Sequence, residues 1–156
     1  QAAIFQRGLN NKTITLWRLD LRDGKLTPLT QTHATHPAVS PDGARTAYYF
    51  MDNETDNRWR IGLVSNATGE FLGKLNLPKE ATERRMRWHP GGQFISQIAS
   101  RGENINLLLL PLNGSEPAQA FELGTGDVQW FEWSKDGTKI VISQTTETQD
   151  VALVSF

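Results

Sequence analysis

The sequence predicts an all-β chain built from β-propeller blades of four antiparallel strands, and three observations carry that prediction. First, one tight corner recurs as "HPAVSPDGARTAYYF" (36 to 50), "MRWHPGGQFISQIAS" (86 to 100) and "FEWSKDGTKIVISQT" (131 to 145), with Gly43, Gly92 and Gly137 spaced 49 and 45 residues apart. Second, the runs after each corner are short, rich in β-branched and aromatic residues, and bounded by Gly, Pro, Asn and Asp. Several, such as "TAYYF" and "KIVI", are apolar on both faces, which implies strands covered on both sides. Third, helical patterning is nearly absent: the one candidate is "PKEATERRMR" (78 to 87), short, polar and equally readable as a loop. Four short strands per repeat of about 40 to 50 residues is the pattern of a blade, whose sheet buries both faces against its neighbours.

The strands follow in order when lettered A to D from the propeller axis outward. The chain opens on a B strand, "AAIFQRG" (2 to 8), a C strand within "TITLWRLDLRDGK" (13 to 25) and a short D strand, "KLTPLT" (25 to 30); its own corner would lie just before residue 1. The second unit runs from its A strand at 36 through the Gly43 corner to "RIGLVSNATGE" (60 to 70) and "FLGKLNL" (71 to 77). The third runs through Gly92 to "NINLLLLPLNGSE" (104 to 116) and "AQAFEL" (118 to 123). The last runs through Gly137 and ends on a C strand, "DVALVSF" (150 to 156). The blade pieces are therefore about 1–30, 36–77, 86–123 and 130–156, in all 14 strands. Propellers close with about four to eight blades. Two complete and two partial blades predict a partial propeller of three to four blades, a piece of a larger ring.

Composition narrows the function. The 156 residues, 38% hydrophobic, suffice for one domain with a core. A formal charge of −1, from 16 basic and 17 acidic residues, gives no field suited to nucleic acid or anionic lipid. The longest apolar run, "INLLLLPL" from Ile105 to Leu112, falls well short of the ~20 residues that span a bilayer and is broken by Pro111. The first residues, "QAAIFQRG", lack the charged start and apolar middle of a signal peptide. The chain has no cysteine, which excludes disulfides, thiolate metal sites and cysteine nucleophiles but leaves cytoplasm and periplasm equally open.

With the corners in place, the "SPDG" turn, the "FEWSKDGTKIVIS" form of the last copy and the aromatic-rich strands resemble TolB-type, WD-repeat-like propeller repeats over essentially the whole chain. The final repeat is similar to the last blade of propellers that end bacterial serine/threonine kinases and winged-helix, CadC-like regulators. That resemblance implies that Phe156 lies at or near a natural C-terminus. The second corner departs from the pattern as "HPGG", and the third has Lys135 in place of proline, but both keep the glycine. The chain contains no kinase signature and no DNA-reading helix.

Each candidate for chemistry also has a structural explanation. A serine beside a carboxylate in Ser40-Pro41-Asp42-Gly43 suggests a hydrolase, yet the G-x-S-x-G pattern occurs nowhere. Repetition assigns Asp42, Gly43, Gly92, Asp136 and Gly137 to turn structure, the aspartates closing the hairpin through nearby backbone N–H groups. His33 and His36 lie three apart in "THATHP", and with His89 they are the only histidines; Pro37 argues against a helical metal pair, and no third ligand is evident. Asp52, Glu54 and Asp56 alternate as in a calcium loop, but Asn57 stands where the glycine belongs and Leu63 where the glutamate belongs. The basic cluster Arg84, Arg85 and Arg87, with Lys79 nearby, is diluted by Glu80 and Glu83 and reads as a solvated edge or a surface for an acidic protein. Sequons begin at Asn11, Asn53, Asn66 and Asn113, all in loops or turns, and in a bacterial chain they imply no glycosylation.

Of the five tryptophans, Trp17, Trp59, Trp88 and Trp133 are expected in packing between blades. Trp130 has no equivalent in the other copies. With Phe131 it sits where the chain enters an inner strand, and these two, with His36, are the expected recognition residues at the propeller mouth. The expected function is non-catalytic: a module for protein–protein interaction or ligand sensing in a larger bacterial signalling or regulatory protein, with no cofactor and no metal. The alternatives are an accessory propeller of a prolyl-peptidase-like hydrolase and a stand-alone periplasmic TolB-like protein. The expected partners are a protein, the missing blades of its own propeller, or a second copy of the chain.

Overall fold

Strand formers and turn formers alternate along the chain, and in the computed structural model the predicted runs become strands separated by tight turns. The structure describes residues 1–9, 13–78, 81, 85–113 and 119–145, and among these there are thirteen strands and no helix. The first sheet is β1 (Ala2–Leu9), β2 (Thr13–Asp20) and β3 (Leu26–Pro28). The second is β4 (Thr35–Val39), β5 (Arg45–Asp52), β6 (Arg58–Ser65) and β7 (Phe71–Asn76). The third is β8 (Met86–Trp88), β9 (Phe94–Arg101), β10 (Asn104–Pro111) and β11 (Gln119–Thr125), and in the fourth β12 (Asp127–Trp133) pairs with β13 (Ile140–Thr145).

All the pairings are antiparallel between chain neighbours, so the sheets read B-C-D, A-B-C-D, A-B-C-D and A-B. The predicted last C strand (150 to 156) lies outside the described residues, as do Lys79, Glu80, Glu83, Arg84 and the sequon at Asn11. One assignment is corrected. Met86 and Arg87, the end of the helical candidate, belong to inner strand β8, where Met86 pairs with Gln97 and its side chain is buried. Burying that side chain against the sheet outweighs the weak helical pattern of a short polar stretch.

The two-residue period of a strand decides which neighbour each side chain meets. In the B strands, residues three and five after the corner glycine face the preceding blade, and residues four and six face the following one. Tyr48 packs with Leu16 and Leu29 of the first blade, while Ala47 and Tyr49 pack with Trp88 and Ile95 of the third. Ile98 meets Val128 and Phe131 of the fourth, against which Ile140 and Ile142 also pack. Each large apolar side chain buried in these seams contributes about 1.5–3 kcal/mol.

Polar bonds cross the same seams. Trp88 Nε1–H donates to the Ala38 carbonyl at 2.8 Å, and Trp133 Nε1–H donates to Ser96 Oγ at 2.9 Å. The Tyr49 hydroxyl donates to Gln97 Oε1, and Gln97, fully buried, passes its own N–H to the Ile98 carbonyl at 2.7 Å. A buried amide is tolerated here because both of its ends are engaged.

Candidate functional site

The corners use their serines and aspartates internally. Ser40 Oγ donates to Asp42 Oδ1 at 2.5 Å and accepts the Arg45 N–H at 2.9 Å, while Asp42 Oδ1 also accepts the Ala44 N–H at 3.0 Å. In the last copy Ser134 Oγ donates to Asp136 at 2.6 Å and accepts the Lys139 N–H at 2.9 Å, and Asp136 accepts the Thr138 N–H at 3.1 Å. These bonds, the serine hydroxyl first, hold the carboxyls of Asp42 and Asp136 below the usual carboxylate range. The corner glycines have φ of +71°, +72° and +71°, which admits glycine with least strain. In the "HPGG" copy the His89 ring replaces the aspartate: Nδ1 accepts the Gly91 N–H at 3.0 Å, and Nε2 lies 3.1 Å from the Gly137 carbonyl of the next corner. His89 also stacks edge-on against Trp133 at 4.9 Å, so it joins two blades.

The three expected recognition residues separate. Phe131 is 1% exposed and sits in the seam between the third and fourth blades, where it offers nothing to a ligand. It lies two residues before Trp133 in an unbroken register, so strand alternation turns it to the same face, toward the third blade. A bulge between Val128 and Trp130 brings Val128 to that face as well, and Trp130 lies on the opposite one, 44% exposed. His36 is exposed at a bulge in β4, with φ of 53° and its ring edge-on to Tyr49 at 6.0 Å. Trp130 does have equivalents: His36, Arg85 and Trp130 each lie seven residues before their corner glycine. The count was available in the sequence, but three unlike residue types concealed it.

The outward face of the fourth blade differs from its counterparts. The residue four after the corner glycine is fully buried in the second and third blades, as Ala47 and Ser96, whereas Val141 is 63% exposed. Trp130 shares that outward face. At the other end of the chain Trp17 lies under the Arg7 guanidinium, 5.0 Å from the ring centre.

Other candidates are engaged in structure. His33 Nδ1 accepts the Ile14 N–H at 3.3 Å. Asp52, 4% exposed, accepts bonds from Lys74 and from Thr55 at 2.7 Å and lies 3.6 Å from Arg60 Nε; Lys74 above all holds its carboxyl below the usual range. Asp56 takes Arg60 at 3.0 Å. Among the described residues no group of three or more His, Asp or Glu side chains is placed to hold a metal. Arg87 pairs with Glu132 at 3.1 Å across a blade seam. Asn66 is buried, donating to the Gly43 carbonyl at 2.9 Å and accepting from Thr46 at 2.6 Å, so this sequon asparagine braces a corner.

A cleft of about 610 Å³ lies between the first two blades. Thr30 and His33 of the connecting loop form one wall; Tyr48, Phe50, Phe71 and Lys74 form the other.

No family model and no curated sequence matches the chain. Solved structures do. A TolB-like protein of Agrobacterium tumefaciens superposes with a TM-score of 0.68 at 16% identity, covering 90% of this chain and 49% of that one. The β-propeller domain of the Trilobed protease from Pyrococcus furiosus gives 0.62 at 19% identity, covering 90% and 43%. An acylaminoacyl peptidase of Pyrococcus horikoshii gives 0.66 at 16% identity, covering 94% and 26%. The chain thus spans about half or less of the structures it matches. At such identities the likeness concerns architecture alone: this chain has the fold of a TolB-like β-propeller.

Proposed function

We propose that the chain is a non-catalytic propeller module that acts by binding protein, with the outward face of its fourth blade as the contact surface. The observation that carries this reading is the exposure of Val141 at a position buried in both inner blades. A face with the residue pattern of a seam, left open beside an exposed Trp130, is suited to receive another blade, of this chain's own larger propeller or of a partner. The serines and aspartates that resemble catalytic groups are committed to turns, which supports the non-catalytic reading. A sensory or signalling role in a larger bacterial protein fits such a module.

The likeness to the acylaminoacyl peptidase supports a second reading, an accessory propeller attached to a hydrolase domain. A G-x-S-x-G motif in the flanking coding sequence favours the hydrolase, and kinase or winged-helix motifs favour the signalling protein.

Light scattering across a concentration series tests the contact surface. The wild-type chain is expected to self-associate, using the open face as a substitute seam, and Val141→Asp to shift it toward monomer. A wild-type monomer at all concentrations, indifferent to Val141→Asp, contradicts the proposal.

A further inference from the structure

The cleft between the first two blades contains an unused hydrogen-bond donor. Tyr48 is 5% exposed, and its ring lies flat over Gly62: a Cβ at Gly62 would fall 2.6 Å from Tyr48 Cζ and 2.8 Å from the hydroxyl oxygen. Only a glycine leaves room for the ring in this pose. Among the described residues the hydroxyl has no hydrogen-bond partner, and burial alone pushes its pKa up to about 12. It is therefore a neutral donor that reaches the cleft and is committed to no protein group.

Apolar and charged groups surround it in a definite arrangement. Across the strands Tyr48 pairs with Gly62, and Gly62 with Lys74. Phe50 meets Tyr48 at 5.9 Å and Phe71 edge-on at 6.2 Å, and Phe71 is 52% exposed. Lys74 is held by Asp52 and Thr55, and Asp52 also faces Arg60, so these charges satisfy one another. Glu54 lines the same cleft, is exposed, and has no cationic partner among the described residues. The uncommitted groups are one phenol donor, one aromatic wall and one carboxylate.

We infer that this cleft binds a peptide segment carrying an apolar side chain beside a positive charge. The apolar side chain packs on Phe71 and Phe50, a peptide carbonyl accepts the Tyr48 O–H, and the cation meets Glu54. The site is separate from the open face of the fourth blade, so neither reading depends on the other.

The test uses the whole chain and the peptide Ac-Phe-Lys-NH2 as probe, followed by amide shifts of Thr30, Gly62 and Gly69 in two-dimensional NMR. At millimolar concentration the probe is expected to move these three signals. Tyr48→Phe should weaken binding about 5- to 10-fold, the loss of one hydrogen bond, and Glu54→Gln about 2- to 5-fold, the loss of one exposed charge pair. Because the hydroxyl has no protein partner, Tyr48→Phe should leave the melting temperature unchanged or raise it. Weaker binding by Ac-Phe-Glu-NH2 and Ac-Gly-Lys-NH2 supports the assigned charge and apolar groups. Equal binding by phenethylamine marks a small-amine site and overturns the peptide assignment. Unmoved signals, or affinity indifferent to Tyr48→Phe, overturn the site itself.

Discussion

The third and fourth blades carry the same strand pattern to opposite outcomes. In the third, Ile95 packs on the second blade while Ser96 and Ile98 meet the fourth, and all three are buried. In the fourth, Ile140 and Ile142 pack on the third, but Val141 points to open space. Local sequence fixes which way a side chain points; the neighbouring blade decides whether it is buried. A propeller seam is thus a property of two blades.

The largest expected difference comes from truncating the two blades at matched strands. Ile95→Ala should destabilise by roughly 2–4 kcal/mol, since it opens a cavity in a closed seam, whereas Val141→Ala should stay within about 0.5 kcal/mol. Urea unfolding of both variants measures this, and equal losses would show that Val141 is packed as tightly as Ile95. The corners give a finer contrast. Gly43→Ala imposes about 1–2 kcal/mol of left-handed backbone strain, and Gly137→Ala should cost more, because its Cβ would meet the His89 ring at 2.7 Å where Gly43 has open space. The ordering of the two melting temperatures is the readout.

Smaller still is the bond across the last seam. Trp133→Phe removes the donor to Ser96 Oγ and should cost about 1 kcal/mol, roughly 2–4 °C in Tm, if the ring position is kept. The smallest effect concerns pH. Asp42 and Asp136 have lowered pKa values in the folded chain, so the stability they contribute is present above the unfolded carboxylate value of about 3.9 and is lost as pH falls through the folded values. Tm should hold from neutrality to about pH 5 and decline below about pH 4, and Asp42→Asn with Asp136→Asn should flatten part of that decline.

Much of this architecture was legible because repetition exposes it. The glycine corners located the inner hairpins, and the spacing between them gave the sheet order. The site was less legible. Phe131 lies two residues before Trp133 and so shares its buried face, which strand alternation alone implies; the bulge that adds Val128 to that face is not announced by anything in "DVQWFEW". The cleft depends on the segment after β3 facing β5 and β7 and on Gly62 lying under Tyr48, relations between distant segments that no local pattern records. Asn66 looked like a loop sequon and proved to be a buried brace, since its partners lie about 20 residues away in the chain.

Amide hydrogen exchange compared between β9 and β13 at several protein concentrations tests whether the outward face of the fourth blade is the proposed contact surface. β13 is expected to exchange much faster than β9 in dilute solution and to gain protection as concentration rises or a partner binds. Protection of β13 equal to that of β9 at the lowest concentration, unchanged on concentrating, would contradict it.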